Sequence, residues 1–484
     1  MNKILGVLSA TAICAVANAG DKPNFIVILT DDQGYGDIGC FGANDIATPN
    51  IDAMARGGIK LTSFYAAPVC APSRAQLMTG SYSERVSHSF NPIPHDTRGL
   101  HPNEITVAEL LKKANYSTKL IGKWHLGDHE DFLPRKQGFD EFFGIPYSND
   151  MWPYYYGHKG NHPRLKEQQE RAKKIGYSAP KKEYNFPDMP LMRDDVAIEV
   201  NPDQTYITKR YTEDAKDFIS RNKEKPFFLY LAHAMPHIPL FVSERFRGKS
   251  KRGLYGDVVM ELDWSCGEIV EHLKTLGLDK NTLIIFTSDN GPWLRYNADG
   301  GSNGPLREGK ASTYEGGVRV PTVAYWPGKI PAGQETDLIT GNIDILPTFA
   351  KLAGVELPKD RVIDGRDIMP VLTGQSKVSP HRYYYSHSRN IPTIRNERYK
   401  LKMKLKKGAK KGSKVDPKLF RAVELYDLKN DVGESKNIIK NHPEIAQDLF
   451  KQAKKIAADL MKNARPLGVA ANPKPPKIDH LPVQ

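Results

Sequence analysis

The chain has 484 residues, 39% hydrophobic and 26% charged, with a formal net charge of +13 and four cysteines. That much apolar residue excludes a disordered or low-complexity chain, and so few cysteines cannot staple a protein of this length as a disulfide scaffold. The positive balance keeps a nucleic-acid partner open until the charge is located along the chain.

Met1-Asn2-Lys3, an apolar run from Ile4 to Val16 and then Ala17-Asn18-Ala19 have the basic start, short apolar core and A-x-A site of a secretory signal peptide. Residues 1–19 are therefore expected to be removed on export, leaving a periplasmic or secreted protein. This run is too short for a membrane span, and no later stretch reaches the ~20 apolar residues that a span needs.

Phe25–Leu29, Lys119–Ile121, Phe227–Leu231 and Leu283–Phe286 read as buried strands. Each runs into a polar cluster: Thr30-Asp31-Asp32, Gly122-Lys123-Trp124-His125, Ala232-His233 with Pro236-His237, and Ser288-Asp289-Asn290-Gly291. Helical patterns lie between them at Thr106–Ala114, Thr212–Ser220 and Asp257–Leu276. Strands alternating with helices predict an α/β fold over residues 20–375, a large, mostly parallel sheet sandwiched by helices. Ligands of such sheets bind at the carboxyl ends of the strands, so the polar clusters are expected to form one site. Residues 154–203 are polar and aperiodic, and read as an insertion over the sheet that forms part of the substrate wall.

A break follows at Thr373-Gly374-Gln375-Ser376. Arg382–Tyr385 and Arg398–Leu405 alternate like antiparallel strands, and Pro443–Met461 reads as a closing helix with Ile445, Leu449, Ala453, Ile456 and Leu460 along one side. Residues 376–465 are therefore expected to be a smaller α+β subdomain carrying an antiparallel sheet, with 466–484 an extended tail. Residues 376–484 hold 25 Lys and Arg against 10 Asp and Glu, a net of +15, whereas residues 20–375 carry −3. The basic excess thus belongs to the appendage and not to the core.

Gly34-Tyr35-Gly36-Asp37-Ile38-Gly39 spells G-x-G-x-x-G after a strand. A dinucleotide site needs a helix there with its N-terminus facing pyrophosphate. No helical pattern follows, and the two preceding carboxylates would repel phosphate. Asp31 and Asp32 suit a hard divalent cation better, joined by Asp289 and Asn290, because carboxylate and amide oxygens are the donors that Ca²⁺ or Mg²⁺ prefers. The segment Pro68-Val69-Cys70-Ala71-Pro72-Ser73-Arg74 puts a thiol at a predicted helix start, with Pro72 in the first turn and Arg74 as a fixed cation. A helix N-terminus, an arginine and a metal together would bind an anion.

Cys70-x-Pro72-Ser73-Arg74 followed by Thr79-Gly80 resembles the motif of the formylglycine-dependent, arylsulfatase A-like sulfatases of the alkaline phosphatase superfamily. The resemblance runs from Pro23 to about Asn437. It includes Thr30–Gly34, Gly122–Gly127, Ser288–Gly291, Gly309-Lys310, Tyr314–Pro321 and Glu424–Asp427, in the family's order. It implies that a maturation enzyme oxidises Cys70 to Cα-formylglycine, whose hydrated aldehyde attacks sulfur and then expels sulfate. It further implies Asp31, Asp32, Asp289 and Asn290 as Ca²⁺ ligands, and Arg74, Lys123 and Lys310 as cations on the sulfate and gem-diol oxygens. His237 resembles the residue that protonates the leaving alcohol, and His125 the one that assists elimination. His233 is left outside this set.

The implied activity is hydrolysis of sulfate esters, with a sulfated galactan or glycosaminoglycan fragment as the expected substrate. Nucleic acid then drops out as the anion. A phosphatase or phosphodiesterase of the superfamily would carry Ser or Thr at the nucleophile and more His/Asp metal ligands. A non-catalytic polyanion-binding protein has no need of Asp31, Asp32, Cys70, His125 and His237 together. Val320 stands where many relatives carry an acidic residue, and sugar contacts such as Asp150, Trp152, Arg295, Tyr296 or His387 fall outside the shared blocks. Eight lysines between Lys400 and Lys414 are either a solvated, edge-protecting strand or a docking surface for a sulfated polymer. Once the leader is removed and Cys70 converted, only Cys40 and Cys266 remain as thiols, paired or free.

Overall fold

The computed structural model of the chain describes residues 22–153, 166, 169–170, 173–174, 186–388, 391–408 and 416–471. The predicted leader, most of the 154–185 stretch, Lys410, Lys411 and Lys414, and the tail from 472 lie outside these residues. The first half of the chain runs β1 (Asn24–Thr30), α1 (Pro49–Gly57), β2 (Ile59–Tyr65), α2 (Cys70–Thr79), β3 (Arg98–Gly99), α3 (Val107–Lys112), β4 (Ser117–Lys123) and β5 (Glu141–Ile145). It continues with β6 (Pro190–Arg193), β7 (Val196–Val200), α4 (Ile207–Arg221), β8 (Phe227–Ala232), α5 (Leu254–Thr275) and β9 (Thr282–Ser288). Then come α6 (Glu315–Val318), β10 (Arg319–Tyr325), β11 (Gln334–Thr336), β12 (Thr340–Gly341), α7 (Ile345–Leu352) and α8 (Met369–Leu372). The C-terminal part holds β13 (Tyr384–Ser388), β14 (Ile391–Arg395), β15 (Tyr399–Leu405), β16 (Phe420–Asp427), α9 (Pro443–Lys462) and β17 (Gly468–Val469).

An eleven-stranded mixed sheet has the order β11-β2-β10-β9-β1-β8-β4-β5-β6-β7, with β12 also on β2. Its centre, β9-β1-β8-β4-β5, is parallel throughout. β1 shows why these strands read as continuous apolar runs: successive side chains point to opposite faces, and both faces are covered. Ile26 and Ile28 pack into one core with Ile51 of α1, Phe218 of α4 and Leu262 of α5. Phe25, Val27 and Leu29 pack into the other with Ala75 of α2, Leu111 of α3 and Phe349 of α7. The helix predicted from Thr106 starts one residue later, because Thr106 is its cap: Thr106 N donates to Glu109 Oε2 (2.7 Å) and Glu109 N to Thr106 Oγ1 (3.2 Å).

The polar stretch before Asp203 is not loop throughout. β6 and β7 form an antiparallel hairpin at the sheet edge. Asp194 turns it at φ +56°, a backbone conformation that Asp tolerates in tight hairpins. The alternation is short and sits in a lysine- and proline-rich context, so periodicity alone did not reveal it.

The second sheet is antiparallel, in the order β13-β14-β15-β16. α9 packs on it through Ala446, Leu449, Ala453, Ala457 and Leu460, while Ile445 and Ile456, expected on the inner side, are only partly buried. The stripe is thus rotated by about one residue from the large-aliphatic pattern, and alanines let the helix approach. This core is continuous with Tyr65, Tyr82 and Ile343 of the catalytic part. Lys400 and Lys402 are 3% and 6% exposed. Lys400 Nζ bonds to Glu315 Oε1 (2.8 Å) and lies 3.1 Å from Glu434 Oε1, and Lys402 Nζ lies 3.4 Å from Glu424 Oε2. These two lysines are internal ion-pair partners, and neither solvated-edge nor docking residues.

Candidate active site

β1, β4, β8 and β9 end side by side, and each delivers its polar cluster to the same rim. Asp31 and Asp32 follow β1, with Asp31 N donating to Met235 O (3.1 Å) and Asp32 at φ +62°. Asp32 N donates to Asp289 Oδ1 (3.2 Å), which stitches the end of β1 to that of β9. Lys123 is the last residue of β4, and His125 follows at φ +62°. The G-x-G-x-x-G segment forms two short 3₁₀ turns and no phosphate-binding helix. Its buried Asp37 accepts from Gly34 N, Ser302 N, Tyr255 Oη and Arg252 Nη1, so the segment ties loops together.

α2 starts at Cys70, and all ten of its residues are buried. Cys70 Sγ donates to Asp31 Oδ1 (3.2 Å) and lies 3.8 Å from Asp32 Oδ1. Arg74, one turn on, is fully buried: Nε and Nη2 hold Asp289 Oδ2 (3.0 and 2.8 Å), and Nη1 holds the Lys123 carbonyl (2.6 Å). Such a fork fixes a guanidinium plane that lysine could not reproduce. Lys123 Nζ bonds to Asp31 Oδ2 and to Ser148 Oγ (3.0 Å). Lys310 Nζ bonds to Asp32 Oδ2 (2.8 Å) and His237 Nε2 (2.9 Å), and sits 4.1 Å over the Trp293 ring.

The electrostatics follow from burial and from this pairing. Burial opposes ionisation of Asp31, but Lys123, His237, Arg74 and Lys310 together outweigh it and hold its carboxyl well below the usual range. Asp289 is pushed up by burial and by the neighbouring Asp31 charge. Burial, with Asp289 and Asp31, drives the Cys70 thiol well above its ordinary value, so the unmodified side chain is not a thiolate nucleophile. Burial, then Lys123 and Arg74, keep His125 neutral.

The tautomers are set by carbonyls, which only accept. His125 Nε2–H donates to Pro92 O (3.1 Å), which leaves Nδ1 as a buried lone pair with no protein partner. His237 Nδ1–H donates to Ile238 O (2.6 Å), so Nε2 is the atom presented beside Lys310 and Asp32.

The oxygens of Asp31, Asp32, Asp289 and Asn290 are the donor set of a hard cation. Asn290 Nδ2 donates to Asp32 Oδ1 (2.7 Å), while its Oδ1 is buried without a partner, as a ligand oxygen would be. Ligating atoms of Asp31, Asp32, Cys70 and His237 also lie within 4.8 Å of one another. Sulfur and imidazole are poor donors to Ca²⁺ or Mg²⁺, so the oxygen set is the better match. All ten residues singled out in the sequence meet here, and His233 stays outside, bonded through Nε2 to Ser265 Oγ (3.3 Å).

A profile of the sulfatase family matches residues 23–355. The chain belongs to the sulfatase family. A second profile, of the C-terminal part of N-sulphoglucosamine sulphohydrolases, matches residues 309–462. Mouse N-acetylgalactosamine-6-sulfatase is 41% identical over 405 residues, spanning 81% of this chain and 74% of the mouse protein. Human steryl-sulfatase is 40% identical over 433 residues, spanning 77% and 73%. A crystal structure of Ps i-CgsB in complex with k-i-k-neocarrahexaose aligns over 92% of this chain and 94% of that one, at 32% identity and a TM-score of 0.73. The protein is a sulfuric ester hydrolase with the alkaline phosphatase-type fold.

Several supporting residues were not foreseen. Ser148 steadies Lys123, Trp293 lies under Lys310 with its ring 5.3 Å from that of His237, and Asn91 Oδ1 accepts from Ala71 N (3.1 Å) at the start of α2. Each sits in a loop with no motif, and only the tertiary structure brings it to the rim. Trp152 and Tyr296, raised as sugar contacts, are 3% and 1% exposed and belong to the core. His387 lies 3.4 Å from Glu84.

Proposed function

We propose that this sulfatase is an exported enzyme that removes sulfate from a sulfated carbohydrate, using Cα-formylglycine made from Cys70 and a Ca²⁺ ion held by Asp31, Asp32, Asp289 and Asn290. The observation that carries this reading is Cys70 at the N-terminus of a wholly buried helix, with its sulfur on Asp31 and with Arg74 and Lys123 beside the same carboxylate. A carboxylate cluster ringed by three cations suits a cation held together with an anionic substrate such as a sulfate ester.

The modified residue would supply a hydroxyl nucleophile, and the metal a positive charge for the sulfate oxygens. Arg74, Lys123 and Lys310 would hold those oxygens and stabilise the charge that grows on them as the S–O ester bond breaks. At the leaving side, His237 Nε2 and Lys310 Nζ share a hydrogen bond (2.9 Å), and a proton held by this pair would pass to the departing alcohol oxygen. On the other side, the Nδ1 lone pair of neutral His125 accepts the proton released when sulfate is expelled. Trp293 is partly exposed beside His237, where an aromatic side chain would border a sugar ring. That position, together with the oligosaccharide complex of a similar sulfatase, favours carbohydrate. Among the described residues no helix is long and apolar enough to cross a membrane.

Mass spectrometry of the Cys70 peptide after co-expression with a formylglycine-generating enzyme is the deciding experiment. The aldehyde mass is expected, with loss of desulfation in Cys70→Ala. Full activity with an unmodified thiol would overturn the mechanism. A panel of regiodefined sulfated oligosaccharides and steroid sulfates identifies the substrate, and N-terminal sequencing of exported protein tests cleavage after Ala19.

A further inference from the structure

The loop between α2 and β3 has no regular structure from His88 to Thr97, yet it makes two contacts on which the site depends. Pro92 O receives His125 Nε2–H (3.1 Å), and Asn91 Oδ1 receives Ala71 N–H (3.1 Å), one residue from Cys70. Contacts made by the loop itself hold only its middle: Asp96 N donates to Ile93 O (3.0 Å), His95 N donates to Asp128 Oδ2 (2.6 Å), and Arg98 pairs with Asp96 and lies 4.3 Å over Phe90, on which His88 stacks at 5.0 Å. Ile93 is 54% exposed.

The stretch that follows α9 holds it at both ends. At the entry, Arg465 N donates to Arg85 O (2.6 Å) and Ser87 Oγ to Arg465 O (2.6 Å). The Arg465 side chain is itself anchored: Nε on both oxygens of Glu104 (2.8 and 3.0 Å), Nη2 on Ser81 Oγ (3.0 Å) and Nη1 on Val362 O (3.0 Å). At the exit, β17 pairs antiparallel with β3, with Gly468 opposite Gly99 and Val469 opposite Arg98, and Ala470 N donates to Thr97 O (2.7 Å). A Cβ on Gly468 would stand 2.8 Å from Gly99 O and from the Phe132 ring, so only glycine lets the two strands lie this close. Beyond β3, Leu100 N donates to Leu126 O (2.8 Å), next to His125.

We propose that residues 465–470 act as a clasp which, by fixing loop 88–97, positions His125 for proton transfer. The inference rests on the reading of His125 given above. Arg465 and Gly468 are positioning residues: they touch neither the site nor a substrate, and they act on His125 through Pro92 O.

The test is a double-mutant cycle between Gly468→Val and His125→Ala, with rates normalised to formylglycine content by mass spectrometry. Gly468→Val is expected to lower kcat on an aryl sulfate about tenfold, with KM within about twofold. In the His125→Ala background the same change is expected to cost less than about twofold, because the residue it positions is already gone. Hydrogen exchange of the 88–98 peptide is expected to quicken about tenfold in Gly468→Val while the strands of the main sheet stay protected. An equal loss in both backgrounds, or an unchanged kcat with faster exchange, overturns the proposal. A fully active His125→Ala protein overturns the role of His125, a failure separate from that of the clasp, which loop exchange still reads. If Gly468→Val does not fold, Ser87→Ala and Arg465→Met carry the same cycle, with a loss of about threefold expected.

Discussion

The tasks proposed for His237 and His125 are opposite, and the surroundings of the two rings differ to match. Each has one ring nitrogen fixed by a backbone carbonyl, Ile238 O and Pro92 O. What the other nitrogen meets differs: Lys310 Nζ at 2.9 Å for His237, and no protein partner for His125. His237→Gln is therefore expected to slow desulfation of alkyl or sugar sulfates by about 10²–10⁴-fold. Nitrophenyl sulfate, whose leaving group needs no proton, is expected to suffer far less. Paired kcat measurements on the two substrates check this, and an equal loss on both would remove His237 from the acid role.

At the scale of elements, the junction between the two sheets is built on charge. Glu315 opens α6, five residues after Lys310, and is fully buried with Tyr65 Oη at 2.5 Å, Lys400 Nζ at 2.8 Å and Arg319 Nη1 at 3.4 Å. Glu434 lies on the same lysine and accepts from Glu315 N (2.6 Å). Two buried carboxylates sharing one ammonium cannot both stay ionised cheaply if it is removed. Lys400→Met is expected to cost about 3 kcal/mol or more, read as a lowered Tm, whereas Lys406→Met on the exposed strand end is expected to change stability by less than about 0.5 kcal/mol. Metal binding belongs to this scale too, because its proposed ligands join β1 to β9. Chelation with EGTA is expected to lower Tm and activity together, and added Ca²⁺ to restore both.

For the whole molecule, acid response follows from histidines held neutral inside the core. Burial pushes His88 down to about 4 and His233 down to about 3 from the ordinary 6.5. The unfolded chain therefore takes up these protons first, and stability is lost as pH falls below 6.5 until the folded values are reached. Asp263, raised to about 6 by burial, acts in the opposite sense and adds stability over the same interval. The contribution of one histidine is isolated by His88→Phe, which is expected to reduce the loss between pH 7 and pH 5 by about 2 kcal/mol. Denaturant titrations at the two pH values measure it. Cys40 and Cys266, left open in the sequence, are both free thiols, so reducing agents are not expected to change Tm.

Much of the molecule was legible without coordinates, and for a physical reason. Strands buried on both faces must be continuous apolar runs, so β1, β4, β8 and β9 announced themselves, and the charged residues at their ends had to lie on one rim of a parallel sheet. The contiguous Cys70–Arg74 segment carried the resemblance to the family only together with the other blocks in the family's order; within it, one helix turn brings thiol and guanidinium together whatever surrounds them. Other features had no local signature. The β6–β7 hairpin was masked by polar context, and the burial of Lys400 and Lys402 depends on carboxylates up to 85 residues away. Trp293, Asn91 and Pro92 act through loops whose positions are set by distant partners. The basic excess counted at the outset is likewise partly internal once folded. Composition and period determined the layers and the rim, and the resemblance to the family's motifs pointed to the reactive set. Long-range pairing, which no window of sequence contains, decided the junction of the sheets and the closing of the C-terminal segment over the loop beneath His125.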